Sequence, residues 1–149
     1  MAKKNKEISS SNLIKVKPIT EGQKSVFETW KKGQNQFLFG CAGTGKTFVS
    51  LYLAMQDVLD LKTKYDKVIL VRSLIPTREI GFLPGDEEDK AALYQVPYQN
   101  MVKFMFEQPN EQAFNMLYDR LKNQGSLYFL STSFLRGLTF DNSIIIVDE

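Results

Sequence analysis

The sequence predicts an α/β fold in which a mostly parallel β-sheet is flanked by helices. Three observations carry that reading. Four short apolar runs, Gln36–Gly40, Lys67–Ser73, Ser126–Thr132 and Ser143–Val147, show no polar alternation, as strands buried on both faces do. Longer stretches with apolar residues at helical spacing stand between them, the order of a βαβ sheet with helices on both faces. The chain has 149 residues, 43% hydrophobic and 24% charged, which suits one globular domain with a full core.

The elements follow in order. Residues 1–12, "MAKKNKEISSSN", read as a basic, solvated, disordered tail ahead of a domain over 13–149. "LIKVKPI", Leu13–Ile19, alternates and predicts a short edge strand stopped by Pro18. A helix follows. Thr20 is a good N-cap, Gln23 stands at capping-box spacing, and Val26, Phe27 and Trp30 form an apolar face ended by Gly33. The strand Gln36–Gly40 leads through a glycine-rich loop into a helix over Thr47–Asp60, apolar on nearly every side. After the strand at Lys67–Ser73 comes a long loop punctuated by Pro76, Gly81, Pro84 and Gly85. Pro97 suits a first helical position, with Tyr98, Met101, Val102 and Met105 on one face. Pro109 opens a second helix, whose face holds Ala113, Phe114, Leu117, Tyr118 and Leu121, and Gly125 stops it. The last two strands complete the sheet. Ligands of such sheets bind at the C-terminal strand ends. The loop from Gly40, Arg72 and Asp148 all lie just beyond strand ends.

Composition excludes much. One cysteine and no histidine remove zinc sites, imidazole acid–base catalysis and Ser–His–Asp triads. Chemistry here falls to carboxylates, Lys, Arg, hydroxyls, backbone amides or a hard metal held by oxygen. No run reaches the roughly 18 apolar residues of a membrane span, and the N-terminus lacks the apolar stretch of a secretory signal, so the expected setting is cytoplasmic, with no membrane partner. Residues 1–36 hold eight Lys against three Asp or Glu, while the remainder is net negative. A basic head of this kind can attract nucleic acid.

"GCAGTGKT", Gly40, Cys41, Ala42, Gly43, Thr44, Gly45, Lys46 and Thr47, matches the phosphate-binding loop G-x-x-x-x-G-K-[ST], with the required strand before it and helix after it. Small residues let consecutive backbone N–H groups turn inward around phosphates, and the helix start adds its positive end. Lys46 reaches the β- and γ-phosphates, and the Thr47 hydroxyl ligates Mg2+. Cys41 fills a position that needs a small residue. Its thiol would also obstruct the phosphates once modified.

"IIIVDE", Ile144–Glu149, supplies the apolar strand that delivers an acid to the metal, the Walker B pattern. Asp148 would hold the ion together with Thr47 through water, and Glu149 would polarise the attacking water.

On "PITEGQ", "GCAGTGKT", "VRS", "GFLPGD" with Lys90 and "PY" beyond it, "FLRGLTF" and "IIIVDE", the chain resembles PhoH-like P-loop ATPases, which look like the nucleotide-binding half of superfamily-1 helicases, from about Pro18 to Glu149. It departs from that pattern where the family has Arg-Pro in place of Arg72-Ser73, and where Cys41 is often proline. The resemblance implies a RecA-like P-loop NTPase fold, ATP and Mg2+ as ligands, RNA or another nucleic acid as partner and a homo-oligomeric ring. Proteins of this kind continue past the Walker B acids. The expectation is therefore an N-terminal part, with the sheet incomplete at its C-terminal side. It also implies that Gln23 reads the adenine edge, beside its capping role. Arg72 and Arg136 are candidate contacts to phosphate or a nucleic-acid backbone, or salt bridges at the sheet edge. Two other classes stay open: a nucleotide-binding module without turnover that needs a further part or partner chain, and a small-molecule kinase.

Overall fold

A computed structural model describes residues 6–73 and 87–149. The loop motif "GFLPGD" lies outside the described residues. The helices are α1, Glu21–Lys31, α2, Lys46–Leu59, α3, Glu87–Phe106, and α4, Glu111–Asn123; the strands are β1, Lys67–Arg72, β2, Leu127–Ser131, and β3, Ser143–Val147. The strands form one three-stranded sheet in the order β2-β1-β3. Both pairings are parallel, with Ile69 opposite Tyr128 on one side and Ile145 on the other. The α/β class with a parallel sheet is thus what the chain adopts.

β1 lies in the centre because it is apolar without interruption, and four of its six residues are buried. One face of the sheet, Val68, Leu70 and Leu127 with Phe129, Ile144 and Ile146, joins a single cluster with Leu51, Met55 and Leu59 of α2, Val102 and Met105 of α3, and Leu121 of α4. At roughly 25 cal/mol per Å² of apolar surface removed from water, this cluster is the main stabilising term of the fold. Helices were expected on both faces. Ile69 and Val71 of the second face are buried but stand outside that cluster. Their neighbours Tyr128, Ile145 and Val147 are exposed.

Helix ends follow local chemistry. Thr20 accepts a hydrogen bond from the Gln23 amide, and Asn110 does the same for Ala113. Trp30 donates to Asp57 Oδ2 at 2.8 Å, tying α1 to α2. α3 begins at Glu87, not at Pro97, which stands inside it. The good helix formers ahead of the proline, "EEDKAAL", supply a preceding stretch that outweighs one missing N–H.

Three further expectations are corrected. Leu13–Ile19 forms no strand. It is an extended strap whose Ile14 amide donates to Met105 O at 2.8 Å, and the Tyr52 hydroxyl bridges Ile14 O and Val16 N. Residues 6–12 of the supposed tail are packed. Ile8 is 6% exposed within the core cluster, and Lys6 donates to the carbonyls of Val58 and Asp66. Gln36–Gly40 forms no strand either. Phe37 and Phe39 are 88% and 87% exposed, so alternate side chains of that run lack a covering layer. Among the described residues, no helix is long and apolar enough to cross a membrane.

Candidate phosphate and metal site

The loop between Gly40 and α2 is closed by its own side chains. Lys46 Nζ donates to Gly40 O at 3.0 Å and to Cys41 O at 2.7 Å, and Thr44 Oγ1 donates to Cys41 O at 2.9 Å. Gly43 and Gly45 hold φ of +77° and +85°, backbone that only glycine takes without strain. Gly45 is also the residue that precedes the first turn of α2, so the free N–H groups of that turn open on the loop. Cys41 is exposed within it, as is Ala42.

Gln23 sits at the rim. Its Oε1 accepts from Ile19 N at 2.9 Å and its Nε2 donates to Thr44 O at 3.1 Å. The reciprocal cap expected from the spacing is present in this form, with the side chain reaching Ile19 rather than Thr20. The same amide clamps α1 to the loop. A cavity of about 320 Å³ opens between them, lined among others by Gln23, Val26, Phe37, Phe39, Thr44 and Lys46.

The strand-end acid meets the loop from the other side. Asp148 N donates to Val71 O at 2.8 Å, which extends the β1–β3 ladder one residue past β3. That places Asp148 Oδ1 3.1 Å from Thr47 Oγ1, across 101 residues of sequence. A hydroxyl and a carboxylate oxygen side by side are hard donors, and Mg2+ is held by one or two such protein ligands with waters and phosphates completing its shell. The residues present therefore fit the ion. Thr47 and Asp148 would hold it, and it would neutralise phosphate charge.

The second oxygen of Asp148 is also engaged. Tyr98 OH donates to Asp148 Oδ2 at 2.6 Å. Tyr98 is 3% exposed, and its ring lies 5.7 Å from that of Phe129 on β2. Burial first, then the bond to Asp148 and its negative charge, raises the phenol far above the ordinary tyrosine range, against the opposing pull of Arg72. It stays protonated at neutral pH and is the donor of this bond. The sequence offered Tyr98 as a core position on a helix face and as part of the "PY" pair of the resemblance, with no partner named for its hydroxyl. A further signal for a bond was a tyrosine where phenylalanine would serve, since a buried phenol seeks a partner.

The remaining candidates are placed differently. Arg72 Nη2 lies 3.8 Å from Glu149 Oε2, and its guanidinium stands over the Tyr94 ring at 5.5 Å. Glu149 has φ of +53°, and its side chain is 85% exposed. Its partner in this state is the arginine, not a group of the loop. Arg136 is exposed on the turn that follows a short 3-10 segment, Thr132–Phe134, and does not join the bonds around Asp148.

Comparison with known proteins adds relatives to this geometry. The family model described as PhoH-like protein matches residues 15–149. Protein PhoH2 of Bacillus subtilis is 30% identical over 113 residues, which is 75% of this chain and 25% of that protein. A PhoH-like protein of Synechocystis is 31% identical over 135 residues, 90% of this chain and 38% of that protein. Protein PhoH of Escherichia coli K12 is 30% identical over 131 residues, 87% of this chain and 35% of that protein. The chain spans between a quarter and two fifths of the length of these curated relatives.

Proposed function

The chain belongs to the PhoH-like family of P-loop proteins, and we propose that it binds ATP with Mg2+ and contributes the loop and acids of an ATPase site. The observation that carries the reading is the 3.1 Å contact of Thr47 Oγ1 with Asp148 Oδ1. It joins the last residue of the phosphate loop to the first acid after β3, two groups brought together only by the parallel sheet.

In this reading the amides of Gly43–Thr47 face the phosphates. Lys46 swings from the carbonyls of Gly40 and Cys41 onto the β- and γ-oxygens. Glu149 holds the attacking water and accepts its proton, after exchanging its arginine partner for that water. Gln23 reads N6 and N7 of adenine if its amide leaves Ile19 and Thr44 on binding. RNA, or another nucleic acid, is the partner that would use the energy, with Arg72 and Arg136 as contacts, in an oligomeric ring.

A second reading has its own observation. Glu149 is exposed and paired with Arg72, so the site as it stands suits binding more than turnover. One experiment separates the two. Calorimetric titration with Mg2+ and ATP is expected to show binding that Lys46→Ala weakens by about a hundredfold, the equivalent of roughly 3 kcal/mol for lost charge-assisted hydrogen bonds. Hydrolysis measured with and without RNA, and abolished by Glu149→Gln, supports the ATPase. Binding without hydrolysis in either setting supports the module. No binding at all overturns both.

A further inference from the structure

We propose that Tyr98 is the positioning residue of the metal acid: its hydroxyl turns Asp148 toward Thr47 and so links α3 to Mg2+ affinity. The inference rests on the ATP–Mg2+ reading above and adds a residue that neither loop nor strand motif contains.

An aspartate at a strand end has two side-chain torsions, and a lone contact to Thr47 leaves its second oxygen undirected. Here both oxygens are assigned. Oδ1 accepts from the Thr47 hydroxyl at 3.1 Å and Oδ2 accepts from the Tyr98 hydroxyl at 2.6 Å. Two fixed oxygens define the plane of the carboxylate. Each oxygen accepts one hydrogen bond and keeps a lone pair, and fixing Oδ2 on the phenol holds Oδ1 beside Thr47, where the ion would be held.

Tyr98 is itself held. It is buried, its ring rests on Phe129 of β2, and α3 carries Val102 and Met105 into the same core. The hydroxyl therefore cannot follow Asp148 if the acid rotates. The tie runs from the core outward, through a hydrogen bond, to a metal ligand. Outer-shell bonds of this kind typically govern metal affinity by about tenfold or more.

The opposing explanation is that Asp148 merely satisfies a buried phenol. Tyr98→Phe separates the two, because it keeps the ring and removes the hydroxyl. ATP affinity is measured by calorimetry with Mg2+ and with chelator, alongside a thermal melt without nucleotide. The expected result is unchanged affinity in chelator and a roughly tenfold smaller gain on adding Mg2+. A variant that melts lower but keeps the full Mg2+ gain overturns the proposal. A crystal structure of Tyr98→Phe gives a readout independent of nucleotide. Asp148 turned away from Thr47 supports the role, and a retained contact near 3.1 Å overturns it. If the wild type binds no ATP in either condition, the ATPase reading fails by itself, and the structure of the variant still decides on Tyr98.

Discussion

Lys46 reaches back no further than Gly40, six residues away, whereas Asp148 takes its partners from 50 and 101 residues away. The two halves of the candidate site are thus built by different means. The loop half is local. Its shape is set by glycines at positive φ, by the start of α2 and by side chains that bond their own backbone. The acid half is global. It exists because β3 pairs with β1, and because α3 lays Tyr98 on the sheet. Local parts are shaped by backbone torsions and global ones by the core, so the two should fail under different substitutions.

Gly45→Ala is the strongest test of the local half. At φ of +85° an L-residue costs about 1–2 kcal/mol. The added Cβ would stand 3.4 Å from Gln23 Nε2, an ordinary contact, so the cost comes from the backbone conformation. The expected outcome is a loss of about 1–2 kcal/mol in chemical denaturation and a roughly tenfold weaker ATP affinity. The Thr47–Asp148 contact should survive in the variant. Full affinity would mean that the loop is not specified by its backbone, and the division drawn here would fall.

That division also accounts for what the sequence disclosed. Eight consecutive residues carry the loop, so a single sequence pattern covers all of them. The strand-end acid was legible through its apolar lead-in. The bond from Tyr98 was not, because helical spacing names the face a residue occupies and not the group it meets. Pro97 misled for a related reason. A proline marks a helix start on average, and the composition ahead of it decided otherwise. Gln36–Gly40 misled because a run of apolar residues reports a wish for burial, while pairing depends on a neighbouring strand. In residues 6–12 the polar, lysine-containing composition of the head hides the docking, because the single Ile8 that docks them is too short a signal for any periodicity.

A smaller effect sharpens the loop half through the contact that supports α1. Asp57 accepts from Trp30, yet burial, the largest influence, raises its carboxyl above the ordinary 3.8, with the charge of Asp60 adding to it and the Trp30 bond opposing. A raised carboxyl binds its proton more tightly in the folded state. Stability from this group is therefore greatest at low pH and declines as pH rises from 3.8 through the folded value. Asp57→Asn removes the titration while keeping an acceptor for Trp30. Denaturation at about pH 4 and about pH 7 should show the variant gaining on the wild type as pH rises, by less than about 1 kcal/mol. A difference that shrinks with rising pH would mean that the indole bond, not burial, dominates at Asp57.

The smallest expected effect bears on the segment that enters the loop. In a sheet buried on both faces, replacing two phenylalanines by serine costs several kcal/mol, since each large-to-small change in a core costs about 3–5 kcal/mol. Phe37 and Phe39 are 88% and 87% exposed, and their rings lie tilted to each other with centroids 6.5 Å apart. Gln36 donates to Val26 O, so the segment is tied to α1 and not to the sheet. The double change Phe37→Ser, Phe39→Ser should therefore alter the stability of this chain by no more than about 0.5 kcal/mol per site, the range of ordinary surface changes. It should also raise solubility, because it removes an exposed apolar pair. A loss of several kcal/mol would show Gln36–Gly40 to be a core strand after all. The loop half would then depend on the sheet as fully as Asp148 does, and the contrast between a local and a global half would dissolve.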